Sequence, residues 1–226
     1  MCCDAGVSAL WPLADLEVLT PRLALRYLDD GLGEELAVLA AKGIHDPATM
    51  PFAEAWTDAP AADLEHNTLR YFWRNRAETS AEHWNLNFAA QLGGTAIGMC
   101  SVEASGFTLR RAAETGSWLG RRYQGQGLGA EMRQAALHLI FAGFDADQAT
   151  TSAWHDNHAS LRVTRSLPYV QTGTHQQLRR GQPDTMVDFV MSRALWAQAR
   201  RDDIQLTGIE AVRGQLKTTR RAATPR

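Results

Sequence analysis

The run Arg121-Arg122-Tyr123-Gln124-Gly125-Gln126-Gly127-Leu128-Gly129-Ala130 constrains this chain more than any other stretch. Ahead of it lies the strand-like Glu114-Thr115-Gly116-Ser117-Trp118-Leu119-Gly120. After it, Leu128, Met132, Ala135, Ala136, Leu139 and Ile140 recur at the spacing of an amphipathic helix. Strand, glycine turn and helix start together make an anion cradle. Glycines let the backbone approach closely, first-turn N–H groups have no intrahelical partner, and the helix dipole favours negative charge. No Ser, Thr, Asp or Asn precedes this helix to cap it, so its donors stay available to a ligand. The pattern reads as a pyrophosphate site. It is not a P-loop, because no Gly-Lys-Ser/Thr follows the glycines. Gly125-x-Gly127-x-x-Ala130 also satisfies a loose dinucleotide fingerprint. Arg121 to Gln124 separate it from its strand, however, and what precedes reads as a meander rather than a βαβ unit.

The spacing Q/R-x-x-G-x-G/A is filled by Arg122, Gly125 and Gly127, with Gly129 beyond. It resembles the acyl-CoA loop of the GNAT superfamily of N-acetyltransferases. Pro21-Arg22-Leu23-Ala24-Leu25-Arg26 resembles the opening strand of the ribosomal-protein N-terminal acetyltransferase branch, where T-x-R-L-x-L-R is common. The resemblance implies an α/β (α+β) GNAT fold. Its central sheet is mixed and mostly antiparallel, with splayed central strands, flanked by helices.

Periodicity fills in the order. Leu16 to Leu28 alternates around a proline, as an edge strand does, and Gly31 to Lys42 and Ala61 to Arg76 read as helices. Trp84 to Ala90 and Ala96 to Glu103 form a hairpin, and Ala113 to Leu119 delivers the chain to the glycine loop. A helix over Gly127 to Ala142, a strand over Ala149 to Ala153, a helix over Asn157 to Ser166 and a closing strand pair follow. We divide the chain into an arm (1–13), an acetyltransferase domain (14–196) and a partly disordered basic extension (197–226).

With 226 residues, 45% of them apolar, the chain is long enough for one well-buried domain. A net charge of -2 argues against a nucleic-acid or anionic-membrane footprint, and no uncharged apolar run is long enough to span a bilayer. Cys2, Cys3 and Cys100 are unpatterned and the N-terminus lacks signal-peptide character, which together imply a reduced, cytoplasmic, soluble protein with no metal. A homodimer is left open.

Acyl transfer from a thioester to an amine needs anchored phosphates, an unprotonated amine, a donor for the developing oxyanion and a route for the departing thiolate's proton. Backbone amides of Gln124, Gly125, Gln126, Gly127, Leu128 and Gly129 would anchor the phosphates, helped by Arg121 and Arg122, which otherwise are a solvated pair. The resemblance implies that pantetheine inserts beside Trp118, Leu119 and Gly120, with the Leu119 amide polarising the thioester carbonyl. It also implies that Asn157 and Ser160, spaced N-x-x-S, form a second anchor; the plain alternative is a helix capped by Asn157. Glu114 resembles the carboxylate many relatives use as base, against a surface strand carboxylate, with Glu103 and the Glu82-His83-Trp84 cluster as other candidates. Many relatives place a Tyr donor where this chain has Thr164, so Ser160 becomes the proton route. Pro168 stands where Gly is usual, which alters the start of the following strand. Trp56, Trp73 and Trp84 are candidate acceptor-pocket residues.

The resemblance therefore implies transfer of acetyl from acetyl-CoA to a primary amine, either a peptide N-terminus or a small amine, by direct attack in a ternary complex. Two other classes stand beside it: a non-enzymatic acyl-CoA sensor, and a nicotinamide-dependent oxidoreductase. A hydrolase is disfavoured because no G-x-S-x-G elbow is present.

Overall fold

A computed structural model describes residues 10–219. The arm up to residue 9, with Cys2 and Cys3, and the tail from residue 220 lie outside the described residues. The chain runs β1 (Glu17–Leu19), β2 (Leu23–Tyr27), α1 (Asp30–Ala41), α2 (Ala61–Glu78), β3 (His83–Leu92), β4 (Thr95–Ser105) and a short α3 (Phe107–Arg110). It continues through β5 (Ala112–Leu119), α4 (Leu128–His138), β6 (Gln148–Trp154), α5 (His158–Arg165), β7 (Val170–Arg179), β8 (Gln182–Ser192), α6 (Arg193–Ala199), β9 (Gln205–Thr207) and α7 (Ile209–Gln215).

Among the described residues nine strands form one sheet, in the order β7-β8-β6-β5-β4-β3-β2-β1-β9. Every pairing is antiparallel except β5 with β6. The expected mixed, mostly antiparallel sheet is therefore present. Alternation decides the faces. Trp84, Leu86 and Phe88 of β3 and Cys100 and Val102 of β4 point to the side covered by Leu128, Met132, Ala135 and Ala136 of α4. Ala89 and Met99 point to the other side, beneath Leu32, Leu36 and Ala40 of α1 and Phe72 of α2.

Two strand readings change. Leu16 to Leu28 is not a single edge strand: Thr20-Pro21-Arg22 turns the chain, with the Thr20 N–H bonded to the Leu23 carbonyl at 2.8 Å. β1 is not at the edge either, because β9 pairs with it. Residues 205–218, within the expected extension, supply β9 and α7 and bury Val212 and Leu216 in the main core. Pro168 is the centre of a tight turn in which the Tyr169 N–H meets the Leu167 carbonyl at 2.7 Å. That i to i+2 closure suits the φ that proline fixes.

The feature that matters for function is a fork. β5 and β6 pair only at Ala112–Gln148, Ala113–Ala149 and Glu114–Thr150. Beyond that point β6 follows β8 as far as Trp154 and Met186, while β5 follows β4 to Leu119 and Gly98. Threonines close the crotch: Thr151 Oγ1 donates to the Thr115 carbonyl at 3.1 Å. The central strands are splayed.

Candidate active site

β5 ends at Leu119, one 3-10 turn spans Arg121–Tyr123, and α4 starts after Gly127. Gly125 and Gly127 have φ of 73° and 76°, left-handed values that only glycine adopts cheaply. Gly127 is the N-cap, and no side chain caps the helix. The first-turn N–H groups thus sit free of helical partners on an exposed loop. Arg121 and Arg122 are exposed beside it, with the Arg122 guanidinium 4.6 Å from the Tyr123 ring centre. The side chains of Gln124 and Gln126 serve structure instead. Gln124 Nε2 donates to the Ile44 and Leu119 carbonyls at 2.8 Å, and Gln126 Nε2 to the Arg122 carbonyl at 2.7 Å.

A pin missed by sequence reading holds this loop. Glu131, in the first turn of α4, is 4% exposed. It accepts from Thr20 Oγ1 at 2.7 Å, from the Arg22 N–H at 3.1 Å and from Arg22 Nε at 2.6 Å. Arg22 Nη1 reaches on to the Gln126 carbonyl at 3.2 Å. Burial pushes the Glu131 carboxyl up, but the Thr20 and Arg22 bonds outweigh it and hold it below the usual range. A carboxylate within the apolar stripe of Leu128, Met132 and Ala135 was the available signal, since such a group needs partners.

The fork lies alongside. The Gly120 N–H bonds the Ile97 carbonyl at 2.9 Å. Antiparallel pairs alternate, so the neighbouring Leu119–Gly98 pair is not hydrogen-bonded and the Leu119 N–H points away from β4, toward the side β6 has left. Gly98 is required for this closeness: a Cβ there would stand 2.2 Å from the Trp118 carbonyl oxygen. Across the fork, Asn157 caps α5, accepting from the Ser160 N–H at 3.1 Å, and its Nδ2 donates to the Pro51 carbonyl at 3.4 Å. Ser160 is half-buried on the same first turn. Thr164, one turn later, is fully buried, and its hydroxyl meets no partner among the described residues.

On the α1–α2 face, Glu114 stands opposite Glu103, both exposed, near Asp188 and His175. Desolvation of its carboxyl, and then repulsion from Glu103 and Asp188, raise the Glu114 pKa, with His175 and Arg133 opposing. The residue is open to solvent overall, so the shift belongs to a carboxyl crowded on the sheet surface. Glu103 Oε2 accepts from Asn85 Nδ2 at 3.0 Å, and the same amide reaches the Tyr71 hydroxyl at 3.3 Å. Asp188 accepts from Ser152 Oγ at 2.8 Å and pairs with His175 Nδ1 at 2.9 Å, and that pairing raises the His175 pKa.

Residues 43–60 form a strap tied to the glycine loop, the end of β6 and the tip of the β7–β8 hairpin. Ile44 is bonded by Gln124 and Phe52 by Trp154 Nε1 at 3.0 Å. Met50 is bonded by Arg179 Nε at 2.7 Å, while Arg180 grips Asp58 at 2.7 Å. Trp56 lies on the strap, 6.1 Å from Trp118 between ring centres. The other two tryptophans are elsewhere. Trp84 is fully buried on the opposite face, against Phe107 and Phe144. Trp73 is 48% exposed on the outside of α2, bonded to Asp30; Tyr71 is the α2 aromatic at the floor.

An uncapped helix start, a glycine loop and a forked sheet together describe an acyltransferase. Residues 22–169 match the family described as acetyltransferase (GNAT) domain, and the chain belongs to that family, whose cosubstrate is acetyl-CoA. The solved structures it resembles include RimL, the ribosomal L7/L12 alpha-N-protein acetyltransferase in complex with coenzyme A. That match has 18% identity and a TM-score of 0.62, covering 76% of this chain and 95% of that one. A GCN5-related N-acetyltransferase from Brucella melitensis matches at 14% identity and TM-score 0.65, covering 80% of both chains. A spermidine N-acetyltransferase chimera of Vibrio cholerae SpeG and hSSAT matches at 15% and 0.62, covering 78% of this chain and 98% of that one. At these identities the likeness speaks for the fold. Among the described residues no helix is long and apolar enough to cross a membrane, and no cluster suited to a metal occurs. The uncapped helix start behind a positive-φ glycine turn fits a phosphate-bearing cosubstrate.

Proposed function

We propose that this acetyltransferase uses acetyl-CoA to acetylate a small, multiply cationic primary amine, by direct attack in a ternary complex. The observation that carries the acceptor class is the floor where Glu103 faces Glu114 with Asp188 nearby and one imidazole, His175, among them. A lone α-amino group needs one counter-charge; this floor offers more, and it favours an acceptor with a second positive group. The tie of the 43–60 strap to β7, the β7–β8 turn and the N-cap of α5 supports a bounded pocket over an open peptide groove.

Acetyl-CoA supplies the activated acyl carbon. The N–H groups from Gly125 to Gly129, with Arg121 and Arg122, hold phosphate; the Gln124 N–H, expected among them, is instead spent on the Arg121 carbonyl at 3.2 Å, closing the 3-10 turn. Asn157 and Ser160 orient the pantetheine arm, with Trp118 and Gly120 as its strand-side neighbours, and the Leu119 N–H polarises the thioester carbonyl. Glu114 takes the amine's proton, directly or through water, helped by a pKa moved toward working pH. Ser160 returns a proton on the other side of the fork, and Trp56 walls the acceptor. The setting is cytoplasmic, where acetyl-CoA is at hand.

Thiol release from acetyl-CoA, measured with polyamines, aminoglycosides, free amino acids and N-terminal peptides as acceptors, tests the reading. Saturable release with polyamines or aminoglycosides is expected, with KM rising about tenfold in Glu103→Gln as one charge contact is lost. Release with peptides alone overturns the acceptor class. Binding of acetyl-CoA with no release on any amine points to a sensor.

A further inference from the structure

We propose that Arg133 is a catalytic residue that stabilises the departing coenzyme A thiolate as an ion pair beneath the β5–β6 fork. This rests on the acetyl-CoA reading above and adds a residue to it.

Arg133 lies on α4 and is 4% exposed, yet its Nε and Nη1 meet no acceptor among the described residues. An unpaired buried guanidinium costs folding free energy, which marks the position as a ligand site or a reservoir of strain. Its place is given by its neighbours. Gly129 is one turn earlier on the same helix row, and a Cβ there would stand 3.5 Å from Val163 Cγ2 of α5 and 3.8 Å from Leu119 Cδ1 of β5. That row therefore faces the seam between β5 and α5. Met132, the preceding residue of α4, packs in one core with Cys100 of β4, and the charge of Arg133 reaching Glu114 and Cys100 agrees with that placement. On α5, Thr164 follows Val163, and its buried hydroxyl is also orphaned, one turn after Ser160. Over the seam, β5–β6 pairing has already stopped at Glu114–Thr150. Two unpartnered polar groups are thus buried on the two helices, α4 and α5, that pack together beside the opening in the sheet.

The chemistry selects what they face. A neutral pantetheine arm asks for amide partners, and the edge of β5 and Asn157 provide them. The sulfur is what needs a cation. As the amine nitrogen bonds the acyl carbon, the C–S bond breaks and its electron pair stays on sulfur, while the amine's surplus proton leaves toward Glu114. Arg133 cannot donate a proton at any working pH, so it holds the sulfur as an anion, which takes up its proton through Ser160 or solvent on release. Thr164, at the position where the resemblance implies a tyrosine donor, is too short to replace that hydroxyl.

The test titrates the full chain at pH 7 with coenzyme A and with desulfo-coenzyme A, reading the ultraviolet thiolate band of bound coenzyme A. The wild type should bind coenzyme A about tenfold or more tightly than the desulfo analogue and show the band. Arg133→Met should abolish the band, equalise the affinities and lower kcat about 10²-fold, without lowering Tm, because it removes an orphaned charge. Arg133→Lys should restore part of the band. Bound coenzyme A that stays a thiol in the wild type, or a band that survives Arg133→Met, overturns the proposal and leaves the acetyl-CoA reading intact. Failure of the wild type to bind either coenzyme A or desulfo-coenzyme A overturns both. The wild-type band decides without any variant having to fold.

Discussion

Glu114 faces Glu103 from the adjacent strand and lies near Asp188, so, in the role of base proposed for it, its proton should affect stability and rate in opposite directions. Its folded pKa is raised, first by desolvation and then by these carboxylates. Between the ordinary and the raised value the folded state binds the extra proton, so stability falls as pH rises through that window. Activity should rise through the same window, because only the carboxylate accepts the amine's proton. Glu114→Gln is expected to flatten the acidic limb of the rate profile and lower kcat about 10²-fold. It should raise Tm at pH 7 and leave Tm near pH 4 almost unchanged. A pH–rate profile and melts at the two pH values check this, and a fall in Tm at pH 7 would count against the crowded-carboxyl account. At this scale the glycine turn and the uncapped helix start were legible, because Gly125 and Gly127 are local devices whose positive φ needs no distant partner. Trp84 and Trp73 were not, since their burial depends on which sheet face and which helix side they take, and a tryptophan suits core or rim equally.

The start of α4 is held by a contact between distant elements, Thr20 and Arg22 of the β1–β2 turn against Glu131. Glu131→Gln keeps the shape and the Thr20 bond but loses the ion pair with Arg22. The expected result is a loop less well fixed at Gln126, with KM for acetyl-CoA raised several-fold and kcat little changed, as befits loss of ground-state binding. Because the folded pKa of Glu131 is lowered, its contribution to stability is present above the unfolded value and lost as pH falls through the folded one. The wild type should therefore lose more Tm than the variant on acidification below about pH 4, near the ordinary glutamate pKa. Gly98→Ala tests the next element: a Cβ at 2.2 Å from the Trp118 carbonyl cannot be housed without moving β4 from β5. A loss of about 1–3 kcal/mol, typical of overpacking, is expected in denaturant titration. The elements themselves were legible from alternation and helical spacing. The turn at Thr20-Pro21-Arg22 was not, because the strand pattern continues through it.

On the scale of the whole molecule, the least legible part was the stretch after α6. Its short apolar positions, Ile204, Leu206, Ile209, Val212 and Leu216, show no long period, so composition alone made it resemble a solvated end. Pairing of β9 with β1 and packing of α7 are long-range events that no local signal announces. Arginines tie this stretch to the end of α4, where the helix loosens into a π turn over Leu139–Gly143. Arg213 donates to the Ala142 and Gly143 carbonyls, and Arg111 to the Thr218 carbonyl at 2.6 Å. Ile204, Val212 and Leu216 are 6%, 0% and 0% exposed. At roughly 2 kcal/mol for each buried side chain, they represent about half the stability of an ordinary domain. Truncation after Asp203 should therefore leave β1 as an open edge and give a chain that melts many degrees lower or aggregates. Truncation after Arg220 should leave Tm unchanged. Thermal unfolding of the two truncations beside the full chain separates a structural terminus from an appended one. Equal melting of all three would mean that β9 and α7 add nothing to the stability of the sheet and α4.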